Sequence, residues 1–160
     1  MALPVSAGGI LLASDINTLF NQLGAASASN SDSTSRTTGS ATFTSTLSPA
    51  NICGTAFTAP PSGKILVTWR ATMANSGANY TASSFTVAAG TTVGSGTVFL
   101  ASDDTRTIST DSTTFEGQGA SEYVSGLTPG ASYNVFMTHR VTTGTQTVLR
   151  RTIGVVPLNA

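Results

Sequence analysis

The segment from Tyr123 to Val156 carries the clearest fold signal in the sequence and reads YVSGLTPGASYNVFMTHRVTTGTQTVLRRTIGVV. Pro129 and Gly130 are turn residues, because proline pre-sets its φ and glycine accepts a positive φ without a Cβ clash. After this turn, apolar and polar residues alternate over positions 133–141, which is the period of a half-buried strand. The pattern predicts an antiparallel strand that starts directly after the turn.

A second turn, at Gly144, leads into a return strand over residues 148–156. Leu127 and Tyr133 bracket the first turn, so that the phenol can fold back onto the preceding backbone. This arrangement is the tyrosine corner of β-sandwiches. The two strands therefore predict a hairpin that belongs to a sandwich.

The rest of the body shows short strand patterns with glycine- and aspartate-rich turns roughly every eight to twelve residues, a spacing typical of sandwiches and jelly rolls. The clearest alternation places five apolar side chains on one face: Ile65, Val67, Trp69, Ala71 and Met73. We predict further strands over residues 42–47, 52–57, 64–73, 83–89, 96–101, 105–109, 113–116 and 121–125. The predicted fold is mainly β, an antiparallel β-sandwich or jelly roll over residues 41–160, preceded by one short N-terminal α-helix.

The N-terminal region, residues 1–23, is predicted to be an arm followed by an anchoring helix. Residues 1–13 contain Pro4 and Gly8-Gly9, which favour an extended arm that lies on another subunit or a partner, or else is disordered. Ser14 is a good N-cap and Gly24 a natural stop. The apolar stripe of so short a helix must pack on something, either its own sandwich or another molecule. The expected contacts with another subunit or a partner are Leu3, Val5, Ile10, Leu11, Leu12, Ile16, Leu19, Phe20 and Leu23.

Residues 24–40 are rich in serine, threonine and glycine and have almost no large side chains. Such a composition does not offset the entropy lost on ordering. We therefore predict a linker that joins the N-terminal anchor to the β body.

The low charge of the chain limits its partners. Charged residues make up 9% of the sequence, against about 25% in ordinary globular proteins, and the formal net charge is zero. Lys64 is the only lysine, so no nucleic-acid partner is expected. No apolar run approaches the ~20 residues that span a membrane. The start has no basic region and only a short apolar run, so neither a membrane partner nor a secretory signal is expected.

No group of residues predicts a reaction or a bound cofactor. His139 is the only histidine and lies on the face of Tyr133, Val135 and Met137, which favours packing or a subunit contact over catalysis. Cys53 is alone and is interpreted as a small buried apolar residue. We expect no catalytic residue, no cofactor and no metal.

The acidic residues do not change this expectation. Asp103, Asp104 and Asp111 lack a calcium-loop register and lie near Arg106, which favours a solvated loop or an ion pair. Glu116 and Glu122 are too isolated to predict a glycosidase pair.

Two segments resemble known families. Residues 125–135, SGLTPGASYNV, resemble the turn into the penultimate strand of fibronectin type III domains, which implies a sandwich and no specific function. Residues 7–17, AGGILLASDIN, together with residues 57–67, FTAPPSGKILV, resemble small virion proteins of tailed bacteriophages, especially of actinobacterial hosts. There a short N-terminal helix precedes a β-rich module in head decoration proteins, head fibres and tail-fibre tips. This resemblance implies a homotrimer or similar oligomer and carries no catalytic residues over.

The main hypothesis is a non-enzymatic capsid decoration protein, made in the host cytoplasm and exposed on the virion surface, whose partner is the major capsid protein or another virion protein. The alternative is a short tail fibre or receptor-binding tip that recognises host-surface glycan. That function requires exposed aromatic residues, and the candidates are Tyr80, Phe115 and Tyr123, although each is more often a core residue. A cell-wall hydrolase is the third hypothesis, and it lacks a candidate site.

Overall fold

The structure is a computed structural model that describes residues 27–158. These residues form strands and connecting loops. The strand bounds are Ala28–Asp32 (β1), Arg36–Thr38 (β2), Gly54–Thr58 (β3), Ile65–Asn75 (β4), Thr81–Ala89 (β5), Val98–Leu100 (β6), Ile108–Thr110 (β7), Glu116–Val124 (β8), Ser132–Val141 (β9) and Gln146–Pro157 (β10).

The strands form two five-stranded antiparallel sheets. Sheet A has the order β1-β10-β4-β8, with β2 also paired to β10. Sheet B has the order β3-β9-β5-β6, with β7 also paired to β5. The mainly β fold with two antiparallel sheets is confirmed and is consistent with the predicted sandwich. The predicted N-terminal helix and arm lie outside the described residues.

The core lies between the inner faces of the two sheets. The alternation over β4 is confirmed, because Ile65, Val67, Trp69, Ala71 and Met73 are all buried. Trp69 packs on Phe85 of the opposite sheet, with ring centroids 4.7 Å apart. Trp69 is therefore a core residue that joins the two sheets.

The predicted hairpin of β9 and β10 is wrong, because β9 belongs to sheet B and β10 to sheet A, and the two strands do not pair with each other. The chain instead crosses from one sheet to the other between them. The predicted turn before β9 is present. Gly130 has a φ of 76°, and the Ala131 amide donates a hydrogen bond to the Thr128 carbonyl at 3.1 Å. The Thr128 amide in turn donates to the phenol oxygen of Tyr133 at 3.2 Å. The predicted fold-back of this phenol is thus confirmed. Gly144, with a φ of 85°, makes the second turn.

The linker prediction is corrected in the part of residues 24–40 that the structure describes. Residues 28–32 and 36–38 form β1 and β2 along β10. The small polar side chains of this segment bury little apolar surface, which is why its composition suggested a linker. The backbone of this segment instead completes sheet A, and two of its charged side chains, Asp32 and Arg36, are buried together as an ion pair.

Two other strand predictions also differ from the structure. Residues 42–47 form no strand: Thr44 makes only an isolated bridge to His139, and Leu47 packs into the core. Residues 113–116 and 121–125 were predicted as separate strands, but β8 is continuous from Glu116 to Val124. Gly117 and Gly119 do not break it, because all nine of its residues pair with β4.

Candidate binding surface

The outer face of sheet B is covered by its own loops. The side-chain amide of Asn134 donates to the carbonyls of Ala88, Gly90 and Ser95, and its oxygen accepts from the Gly94 amide. These bonds hold the loop after β5 against the sheet. Asn134 itself is fully buried as a result. Sheet B therefore presents little of its outer face to solvent.

The outer face of sheet A, in contrast, is open to solvent. In β4 the residues that alternate with the core positions are exposed or half-buried, and in β8 the outward residues from Gly117 to Tyr123 are all exposed. The outward residues of β4, β8 and β10 include Leu66, Thr68, Arg70, Thr72, Gly117, Gly119, Ser121, Tyr123, Leu149, Arg150, Thr152, Gly154 and Val156. Apart from two arginines and three glycines, they are hydroxyl-bearing or apolar. This face is the main candidate for a binding surface.

An apolar row crosses the outer face of sheet A at one end. Leu66 of β4 pairs with Tyr123 of β8 on one side and with Val156 of β10 on the other. Tyr123 is 50% exposed and Val156 45% exposed, and Leu66 between them is half-buried. Side chains in directly paired positions on one face contact each other. We call Tyr123, Leu66 and Val156 the apolar row.

The chain enters the body beside the apolar row. Ala28 pairs with Val155, and Ser27 lines a shallow groove of about 270 Å³ together with Val156. Ser27 follows directly on the N-terminal residues. The point where those residues join the body thus lies at the same end of the sandwich as the apolar row.

His139 lies in the core opposite Ser83, its partner in the β5–β9 register. The Ser83 hydroxyl is 2.6 Å from Nδ1 of His139, and both residues are fully buried. Burial, assisted by the charge of Arg151, lowers the pKa of His139 to about 3, so the ring is neutral at physiological pH. A serine–histidine contact of this length would suit a nucleophile and its base, but here no substrate can reach it. The pair has a packing role.

The sequence did not reveal the contact between Ser83 and His139. The two residues are 56 positions apart, and only the pairing register of β5 with β9 brings them together. Alternation alone placed His139 on the inner face, and that part of the prediction is confirmed.

Most of the other side chains that could act as acids, bases or nucleophiles form ion pairs or pack in the core. Asp103 pairs with Arg106, which agrees with the ion-pair alternative for this loop, and Asp104 pairs with Arg140 of β9, a contact that the sequence did not predict. Cys53 is fully buried, as predicted, and burial raises the pKa of its thiol. Among residues 27–158, no three histidine, cysteine or acidic side chains come close enough together to hold a metal ion.

Glu116 and Glu122, the two acidic residues of β8, do not lie side by side as the two carboxylates of a glycosidase would. Glu116 accepts a hydrogen bond from the Thr110 hydroxyl at 2.5 Å. Glu122 lies six residues further along the same strand, opposite Val67. The contacts of Glu116 tie β8 to β7 on the opposite sheet.

Two of the three aromatic candidates for ligand contact are exposed. Phe115 is 52% exposed and Tyr123 50% exposed, so the core interpretation of these two residues is wrong. Tyr80 is half-buried beneath the guanidinium of Arg140. Phe99, which the sequence analysis did not single out, is 40% exposed and stacks edge-on against Tyr133. Phe115 directly precedes β8 and Phe99 is the middle residue of the three-residue β6, so neither lies in a strand long enough for alternation to predict its burial.

The nine predicted contact residues of the N-terminal arm and helix, Leu3, Val5, Ile10, Leu11, Leu12, Ile16, Leu19, Phe20 and Leu23, lie outside the described residues. None of the described segments is a helix of the length and hydrophobicity needed to span a membrane. No protein-family model and no curated protein matches the sequence.

Proposed function

We propose that this protein is a non-enzymatic structural protein of a tailed-phage virion, a capsid decoration protein on the outer surface of the head. The main observation in its favour is the apolar row on an otherwise polar outer face, next to the point where the N-terminal residues join the body. Exposed apolar side chains that lie together are typical of protein contact surfaces. The row and the apolar residues of positions 1–23 would bind the major capsid protein or another virion protein from the same end of the sandwich.

The protein acts in this proposal as a homo-oligomer, with a trimer as the expected form. The supporting feature is β8, an edge strand of nine residues that pairs with β4 on one side and with no other described strand. An unpaired edge is a template for a strand of another chain. Several attached copies bind more tightly than one, because each contact after the first is intramolecular.

The first experiment is quantitative mass spectrometry of purified virions of the phage that encodes the chain. Hundreds of copies per particle are expected for a decoration protein. A handful of copies would indicate a tail fibre or tip instead, and the absence of the protein from particles would contradict both assignments.

A second experiment tests the contact surface. Deletion of residues 1–23 and the double substitution Tyr123→Ser with Val156→Thr should each reduce binding of the purified protein to virions that lack it. The matched control is Val98→Thr, because Val98 is 54% exposed but lies on β6 of sheet B. Equal loss of binding in the control would show that the apolar row is not the contact.

The alternative, a receptor-binding tip that recognises host-surface glycan, is favoured by one observation: Phe115 and Tyr123 are both exposed. Aromatic faces in this position can stack on sugar rings. Binding of the isolated protein to host cells, lost on Tyr123→Ser and Phe115→Ser, would favour this function over head decoration.

A further inference from the structure

A β-bulge in β10 sends two successive arginines to opposite sides of sheet A. The register with β4 shifts between Leu149 and Thr152, which pair with Thr72 and Arg70. Arg150 and Arg151 therefore both lie opposite Ala71. Arg151 is fully buried on the inner side, whereas Arg150 is exposed on the outer side.

Arg150 holds this position in an unfavourable backbone conformation. Its φ is 53°, a left-handed value that residues with a Cβ rarely adopt. Strained residues and bulges are frequent at binding sites, where they direct a side chain to a particular place. Here the strain directs a guanidinium over the outer face of β4.

Arg150 lines an open groove of about 390 Å³. Its other lining residues are Arg70, Ala71 and Thr72 of β4 and Gly117, Gln118 and Gly119 of β8. Two positive charges and no negative charge line this groove. Neither arginine forms a salt bridge with any carboxylate among the described residues.

The floor of the groove is low because two of its residues are glycine. A Cβ at Gly119 would lie 3.3 Å from the Cβ of Arg70 and would occupy the space beside it. At Gly117 a Cβ would meet the Thr72 hydroxyl at 3.8 Å. With no side chain above the floor, a flat ring can approach the backbone of β8.

We propose that this groove binds an acidic carbohydrate, a sugar chain that carries carboxylates. Each guanidinium can bind a carboxylate with two parallel hydrogen bonds. Thr72 beside them offers a hydroxyl for the hydroxyl groups of the sugar, and the glycine floor accommodates its ring. Tyr123 lies further along the same face of β8, where a longer chain would reach it.

A peptide fits the groove less well than a sugar does. Recognition of peptides uses pockets for apolar side chains, and apart from Ala71 every lining residue is polar or glycine. A nucleic acid would need many more cationic contacts than two. This carbohydrate binding is independent of the virion assignment, since it follows from the groove alone.

The test is calorimetric titration of the full chain with hexagalacturonate, which has a carboxylate on every sugar, together with NMR detection of the Gly117 and Gly119 amides. Binding with shifts at these two amides is expected. Arg70→Gln and Arg150→Gln should each weaken the affinity about tenfold, the effect of losing one charge-assisted hydrogen-bonded contact. Lys64→Gln removes the same charge outside the groove and should change the affinity less than about twofold.

Three results would overturn the proposal. One is no binding of hexagalacturonate at millimolar concentration. Another is binding that both arginine variants leave unchanged. The third is equal affinity for hexaglutamate or for a glycerol phosphate oligomer, because this would show attraction to negative charge without recognition of a sugar. Absence of the protein from virions would refute the proposed function and would leave these outcomes unaffected.

Discussion

Arg151 donates a hydrogen bond from Nη2 to Oδ2 of Asp32, across 119 positions of the sequence. Arg36 donates from Nε to the same oxygen at 2.5 Å. Burial by itself would raise the pKa of Asp32, but the bonds from Arg36 and Arg151 outweigh it and hold the pKa of this carboxyl below its ordinary value. One carboxylate thus compensates two buried guanidinium groups and ties β1 and β2 to β10.

Substitution of Asp32 by asparagine should lower the free energy of unfolding by about 3–5 kcal/mol, because both arginines then keep their charge without a counter-ion. Asp111→Asn is the matched control: Asp111 is exposed, and the expected change is within about 0.5 kcal/mol. Urea unfolding with comparison of midpoint and slope measures both. Equal effects of the two substitutions would show that the buried ion cluster does not stabilise the fold.

The stability of the protein should fall as the pH drops below about 6.5. The folded state does not protonate His139 until about pH 3, whereas the unfolded chain protonates it near the ordinary value of 6.5. The unfolded state therefore binds more protons between these values, and stability is lost by about 1.4 kcal/mol per pH unit in this window. Chemical unfolding at several pH values between 4.5 and 7 measures the slope.

His139→Gln is the control for this pH dependence. His139 is the only histidine of the chain, so the variant should lose the slope between pH 4.5 and 6.5 whatever its stability at pH 7. A slope in the variant equal to that of the wild type would contradict the assignment to His139.

Tyr133→Phe should lower the free energy of unfolding by about 1 kcal/mol, the usual contribution of one hydrogen bond. The substitution removes only the phenol oxygen that accepts from the Thr128 amide and leaves that amide without its partner. Tyr123→Phe makes the same chemical change at a half-exposed position and should alter stability by less than about 0.5 kcal/mol. If thermal unfolding ranks the two variants in the opposite order, the tyrosine corner does not stabilise the turn.

Arg150→Asn should raise the free energy of unfolding by up to about 1 kcal/mol, because asparagine tolerates the left-handed conformation that Arg150 adopts. Arg70→Asn should not, since Arg70 lies in a regular stretch of β4, where asparagine is disfavoured. Denaturant unfolding measures the stability of both variants. If Arg150→Asn is less stable than the wild type, the backbone conformation of Arg150 carries no strain.

The turns before β9 and β10 and the inward faces of the strands were predictable from the sequence because they depend on neighbouring residues, whereas the predicted pairing of β9 with β10 was wrong because it depends on which sheet each strand joins. Pro129, Gly130 and Gly144 specify turns through their own backbone preferences, and alternation in β4 and β9 specifies which side chains face inward. The exposure of Phe115 and Tyr123 was not predictable in the same way. Tyr123 lies on the outer face of sheet A and Phe115 lies directly before β8, and strand periodicity does not tell which face of a sheet other segments cover.

The strand periodicity, the turns and the burial of Trp69, His139 and Cys53 can be inferred from the amino-acid sequence alone, since they follow from local conformational preference and hydrophobicity. Only the tertiary structure decided that residues 28–38 join sheet A, that Ser83 meets His139, and that Arg150 and Arg151 point to opposite sides of one sheet. The physical reason is that these features depend on pairing register between segments far apart in the chain. A shift of one residue in that register exchanges the two faces of a strand.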